Sequence, residues 1–331
     1  MGPAIRAVAA QAERVTLLCS ARGRQAAQLL PGVDELIVYA APWIDPEPDP
    51  VDRGEVLALV DRLAGLGADQ AIILTSFHQS PLPLALLLRL AGVPMIGAIS
   101  PDYPGSLLDV RHSVAEDVHE VERALSLVHA LGYELPGSDD GALHIVRRPE
   151  SRPDALGEDG YVVVHPGASV PARAWAPDRC AELVAELRAR GRSVVVTGSA
   201  TETELTAHVA GRSDRRVVDL GGRTDLASLA EVLAGADVLV AGNTGPAHLA
   251  AAVRTPVVSL FAPTVPPTRW RPWGTPHVLL GRHDIGCAGC RAKVCPYENH
   301  PCLDAVPVEQ VLEAVETLAP SDRKELAACE I

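Results

Sequence analysis

Short apolar runs recur along the chain, each followed by a polar or Gly-rich loop and then by a stretch with helical spacing. In the second half the runs are Tyr161 to Val164, Ser193 to Val196, Arg216 to Leu220, Val238 to Val240 and Val257 to Phe261. Between them lie a helix from Pro177 to Arg190, a helix opened by Thr201 with Glu204 at capping-box spacing, a helix capped by Asp225 and running to Ala234, and a helix starting at Pro246. A last amphipathic helix is expected over Val308 to Leu318. The first half has strand patterns at Val15 to Cys19, Leu36 to Tyr39, Ala71 to Leu74 and Met95 to Ala98. Its helical patterns are Ala4 to Ala12, Val56 to Leu66, Leu84 to Ala91 and His119 to Leu131. Strands alternating with helices at this spacing predict an α/β protein built on parallel, doubly wound sheets. The polar, Pro- and Gly-rich segment from Arg147 to Gly160 is the best linker, giving domains 1–150 and 151–331.

Composition narrows the function classes. With 331 residues, 47% hydrophobic and 21% charged, both halves can bury a core. The net charge is −13. Residues 1–150 carry 11 Arg against 20 acidic residues, and the remainder 18 Lys+Arg against 22. Neither half has the basic balance of a nucleic-acid binder or of a protein drawn to an anionic membrane surface. The most apolar run, Pro81 to Ile99, is broken by Pro83, Arg89 and Pro94, so no integral membrane span is expected. Seven cysteines without a secretory leader point to a reducing, cytoplasmic compartment.

The candidate chemistry sits in the loops that follow strands, where open α/β sheets bind ligands. Gly242-Asn243-Thr244-Gly245, leading into a helix with Pro246 in its first turn, presents backbone N–H groups at a helix N-terminus, a geometry suited to phosphate. The Thr244 hydroxyl and His248, one turn on, add donors; an ordinary Gly-rich turn with a packed His248 is the plainer reading. Arg173 follows the His165-Pro166-Gly167-Ala168-Ser169 loop and could offset charge on a leaving diphosphate, or be a surface arginine beside packed Trp175. Glu202 could accept both hydroxyls of a ribose, or merely complement a helix N-terminus. Cys287, Cys290, Cys295 and Cys302 have a spacing that would let four thiolates hold a structural zinc, or they are free thiols. His78, Gln79 and Ser80 end a strand of the first half and are candidates for contacting an acceptor sugar.

Taken together, these residues resemble glycosyltransferase family 9, the ADP-heptose heptosyltransferases of lipopolysaccharide inner-core synthesis. The similarity rests on HPGAS at 165–169 with Arg173 and Trp175, TGSATETEL at 197–205, GGRTDLASLAEVLAGADVLVAGNTGPAHLAAA at 221–252 and TPVVSLFAPT at 255–264, with CAGCRAKVCPYENHPCL at 287–303 and HEVERAL in support. The resemblance implies a GT-B fold of two Rossmann-like domains and an inverting transfer that needs no metal. The donor would be an ADP-sugar and the acceptor a saccharide or glycolipid. It places Ser169 and Arg173 on the diphosphate, with Arg173 where the family usually has Lys. It puts Glu202 on the ribose, Thr224 beside the adenine, and Asn243, Thr244, Gly245 and His248 on the diphosphate and sugar. Two departures stand out. Asn243 replaces a frequent Asp. MGPAIRAVAA resembles the segment that follows the family's first strand and its Gly-Asp loop, whose Asp is the general base. No catalytic base is therefore assigned, a central strand of the N-terminal domain is expected to be missing, and Asp102 and Asp109 are the substitutes considered. Loss of such a base lowers a rate by roughly 10²–10⁴-fold. A non-catalytic sugar-nucleotide binder is thus an alternative to the transferase, as is another GT-B enzyme such as an epimerase.

Overall fold

The computed structural model describes residues 1–331 except 46, 77, 116, 212–214 and 321–331, so Cys329 lies outside the described residues. Two compact units divide between Gly141 and Ala142.

In the first unit the chain runs α1 (Gly2–Ala9), β1 (Thr16–Cys19), α2 (Arg24–Ala27), β2 (Glu35–Val38), α3 (Arg53–Gly65), β3 (Gln70–Ile73), α4 (Leu82–Leu90), β4 (Met95–Ile99), β5 (Val110–His112) and α5 (Glu120–Ala130). All strand pairs are parallel, and they form two separate ladders, β1-β2 and β3-β4-β5. A single apolar cluster, with Ile37 from β2 and Ile73 from β3, lies against both ladders. Ala4 and Ala7 of α1 pack on Ala124 and Val128 of α5, small side chains that let the two helices approach closely. Asp52 caps α3 by accepting from the Glu55 N–H at 2.8 Å. His119 caps α5 through a reciprocal box with Glu122. The pattern missed α2 and β5, both too short to carry a period.

The second unit contains β6 (Tyr161–His165), α6 (Pro177–Ala189), β7 (Val194–Val196), α7 (Thr203–Ala210), β8 (Val217–Asp219), α8 (Leu226–Ala234), β9 (Ala236–Gly242), α9 (Gly245–Ala252), β10 (Val257–Leu260), α10 (Pro267–Trp270), β11 (His277–Leu280) and α11 (Val308–Leu318). Its six strands are parallel in the order β11-β10-β9-β6-β7-β8. Strand residues alternate between two cores: Val162 and Val164 face α6 and α11, while Tyr161 and Val163 face α8 and α9. Burial on both faces explains why these strands read as continuous valine runs. The capping box falls two residues earlier than expected: Ser199 pairs with Glu202 rather than Thr201 with Glu204, and a 3-10 turn at Ala200–Glu202 precedes α7.

The split between units lies upstream of residue 150 because the linker is tied to the second unit. Glu231, 2% exposed, accepts from Arg147 Nε at 3.1 Å, from Arg147 Nη2 and from the Arg148 N–H at 3.0 Å. The Arg147 guanidinium holds its carboxyl below the usual range. A depressed carboxylate contributes stability above its unfolded pKa, and that stability is lost as pH falls through the folded pKa. Glu231→Gln is therefore expected to cost about 1.5–3 kcal/mol at pH 7. Thermal melts should show the gap to wild type closing as the pH is lowered through the carboxylate range; an unchanged gap would refute the ionic role.

Candidate functional site

The order of the second sheet defines its switch point. From β6 the chain steps outward through β7 and β8, then returns to the other side of β6 and steps outward through β9, β10 and β11. The loops after β6 and β9 diverge there, leaving a crevice at the carboxyl ends of the strands.

After β9, Gly242 is buried and its backbone packs against the Arg173 carbonyl; a Cβ on Gly242 would lie 2.5 Å from that oxygen. Only glycine permits this approach, and it joins the β9 loop to the β6 loop. Thr244 is the N-cap residue of α9, yet its side chain makes no capping bond, and its hydroxyl is buried with no partner among the described residues. The same holds for Asn243 Oδ1, while Asn243 Nδ2 donates to the Ala262 carbonyl at 3.4 Å. Buried polar groups are rarely left unpaired, so these two are poised for a ligand. The expectation that the Thr244 N–H faces the ligand does not hold, because it donates to the Gly242 carbonyl at 2.9 Å. Gly245 is exposed and opens α9, where its N–H has no acceptor within the helix. His248 is half-buried and meets the Trp270 ring edge-on, centroids 6.4 Å apart.

After β6, Arg173 is half-buried and donates Nε–H to Thr264 Oγ1 at 3.2 Å. It has no acidic partner among the described residues, and burial lowers its pKa. Even a lowered guanidinium stays charged at neutral pH, so this is an unpaired, partly desolvated cation beside the α9 N-terminus. Ser169 is exposed on the same loop. Glu202 reaches that loop from β7: a Cβ on Gly167 would lie 2.0 Å from Glu202 Oε1. Its Oε2 accepts from the Ser199 N–H and hydroxyl, both at 2.7 Å. One oxygen is thus spent on the cap, and Oε1 takes part in no hydrogen bond among the described residues. His165 Nδ1 lies 2.9 Å from Thr197 Oγ1. Burial lowers the His165 pKa against the opposing pull of Glu202.

The structure thus brings Arg173, Glu202, Asn243, Thr244, Gly245 and His248 to one end of one sheet. Thr224 is half-buried and follows β8, the edge strand of the sheet. Thr264, which ends the TPVVSLFAPT motif, and Trp270 join the site without having been assigned a role from the sequence. In the first unit Gln79 is used to close its own loop, accepting from the Ser76 N–H at 3.1 Å while Thr75 Oγ1 donates to the Gln79 carbonyl at 3.3 Å. His78 Nδ1 lies 3.5 Å from Ser76 Oγ, and Ser80 Oγ accepts from the Leu82 N–H at 3.4 Å. Asp109 is taken up by the Ile96 N–H at 2.7 Å and by Arg89, and these bonds, the first above all, hold its carboxyl low. These bonds tie its carboxylate to β4 and α4.

The four cysteines line one cavity of about 110 Å³ together with Ala172, Thr264 and His300. All are free thiols. Burial raises the Cys302 thiol to about 11, and the neighbouring Cys295, Cys287 and Cys290 add to the rise. Among the described residues no group of three or more His, Cys, Asp or Glu side chains is arranged to hold a metal ion. The thiols share a cavity but do not converge as a ready donor set.

A doubly wound parallel sheet with an unpaired arginine and a free helix N-terminus at its switch point defines an α/β unit of the type that takes phosphate-bearing ligands. The sequence model of Glycosyltransferase family 9 (heptosyltransferase) matches residues 56–300, and the chain belongs to that family. It is 30% identical over 220 residues to lipopolysaccharide heptosyltransferase 3 of Escherichia coli K12, covering 62% of this chain and 60% of the relative. To lipopolysaccharide heptosyltransferase 1 of Pseudomonas aeruginosa it is 35% identical over 228 residues, covering 66% of this chain and 62% of the relative. The chain thus spans less than two thirds of the length of these relatives. The structure of E. coli ADP-heptose lps heptosyltransferase II superposes with a TM-score of 0.73 at 20% identity over 96% of this chain and 93% of that one, which gives the fold as GT-B. No described helix is long and apolar enough to cross a membrane.

Proposed function

We propose that the chain binds an ADP-sugar at the strand ends of its second unit and transfers the sugar, a heptose or a close relative, to a saccharide of the lipopolysaccharide core with inversion. The observation that carries this reading is Arg173, a half-buried cation without an acidic partner, next to the buried, unpartnered hydroxyl of Thr244 and the free N–H of Gly245. These groups supply charge and donors for a diphosphate that gains negative charge as its bond to the sugar breaks. Glu202 Oε1 is left to accept from ribose hydroxyls, and Thr224 and Ser169 flank the nucleotide. Asn243, lacking the charge of an Asp, holds a sugar hydroxyl by its amide. The acceptor oxygen attacks the anomeric carbon from the face opposite the diphosphate; its proton goes to a base that no residue of the described chain is assigned. His78, Gln79 and Ser80 are the acceptor-side candidates, Gln79 with its side chain engaged in its own loop. The free thiols and the acidic charge favour action in the cytoplasm on a small or lipid-linked sugar, not on nucleic acid.

The test combines binding with turnover. ADP should bind with a Kd well below that of UDP or GDP by calorimetry, and ADP-heptose with a core acceptor should give an extended saccharide by mass spectrometry. Absence of ADP binding would overturn the reading. Binding of ADP-heptose without transfer would leave the non-catalytic binder.

The chemistry uses no metal. A zinc on Cys287, Cys290, Cys295 and Cys302 would be structural and would require their side chains to turn toward one another. Protein purified under reducing conditions should then carry about one equivalent of zinc, against which background content in metal analysis would remove the site.

A further inference from the structure

The cysteine-bearing segment is docked onto both anchor points of Arg173. The Ala172 peptide, next to Arg173, is held on two sides: its N–H donates to the Lys293 carbonyl at 3.0 Å, and its carbonyl lies 3.0 Å from His300 Nε2. A carbonyl only accepts, so Nε2 carries the proton. On the other flank, the Arg291 N–H donates to the Thr264 carbonyl at 3.1 Å and the Gly289 N–H to the Pro263 carbonyl at 2.6 Å. Thr264 in turn accepts from Arg173 Nε. The segment therefore fixes the backbone from which Arg173 projects and the hydroxyl that orients its guanidinium. Arg291 and His300 have positive φ, 52° and 29°, unusual for residues with a Cβ. Such backbone persists where surrounding contacts over-determine it, and both residues make one of these bonds.

We infer that residues 289–300 form a strut that sets the position of Arg173, and that His300 is a positioning residue for the diphosphate. The strut needs no metal; the walls of the cysteine cavity, including Ala172 and Thr264, are the same surfaces it braces. A cation without an acidic partner has no ion pair to hold it, so its aim depends on this scaffold. The inference rests on the proposed role of Arg173, and the test separates the two.

The pair His300→Gln and His300→Met keeps side-chain volume while retaining or removing the N–H donor. ADP affinity is measured by calorimetry on the full chain, alone and in an Arg173→Ala background, with Thr264→Val as an isosteric change at the far anchor. His300→Met and Thr264→Val are each expected to raise the Kd about three- to tenfold, the range of one hydrogen bond. His300→Gln should return it to within about twofold of wild type. In the Arg173→Ala background both effects should shrink below about twofold, because the residue they act through is gone. Equal effects with and without Arg173, or no effect of His300→Met while Arg173→Ala weakens binding, would overturn the strut and leave the diphosphate site standing. No effect of Arg173→Ala itself would overturn both.

Discussion

Arg173→Ala is expected to raise the Kd for ADP by about 10–100-fold, the equivalent of one charged hydrogen bond or more. Where turnover is measurable, kcat should fall by a further 10²–10³-fold or so, as when a preorganised donor to developing negative charge is removed. The size follows from the setting. The guanidinium has lost part of its hydration to burial, and no carboxylate among the described residues repays that loss. A diphosphate would be its first anionic partner. Arg173→Lys should recover part of the binding, keeping the charge but losing the Nε–H bond to Thr264 and the fixed fork of donors. Calorimetry and steady-state rates on the three proteins check this. A wild-type Kd for Arg173→Ala would remove the arginine from the site.

Gly242→Ala is the second large effect. The added Cβ would stand 2.5 Å from the Arg173 carbonyl oxygen, and that atom is backbone, so no side-chain rotation relieves the clash. Overpacking of this kind costs about 1–3 kcal/mol, and in a unit of this size each kcal/mol lowers Tm by about 2–4 °C. The loop must also move away from β9, which carries Arg173 off the α9 N-terminus. A rise in the Kd for ADP of roughly tenfold is expected alongside the lower melting point. A variant that melts and binds like wild type would show that the two loops do not meet as described.

The strands of the second unit were legible because burial on both faces writes itself into the sequence as valine runs, and the turns after them are marked by Gly242, Gly245, Gly167 and Asp225. Family membership was legible because several of those loop motifs occur together in order. The misplacement of the capping box at Thr201 and Glu204 has a local cause: Ser199 and Glu202 offer the same spacing two residues earlier, and the 3-10 turn between them decides in their favour. Short elements such as β5 and α10 escaped because three or four residues carry no measurable period. The role given to Glu202 had to be divided, since one oxygen serves Ser199.

The amino-acid sequence by itself determined the α/β class, the Gly-rich loop from Gly242 to Gly245 and the family, since each depends on local pattern or on motifs in order. Only the tertiary structure decided which loops become neighbours. Strand order β10-β9-β6-β7 is not chain order, so Thr264 and Arg173, 91 residues apart, meet across a sheet that no local pattern describes. The same holds for the cysteine segment. Its spacing suggested a metal, and its backbone contacts tie it to Ala172 and Thr264 on either side of Arg173, because a hydrogen bond between distant peptides depends on where the chain returns and not on which residues it carries.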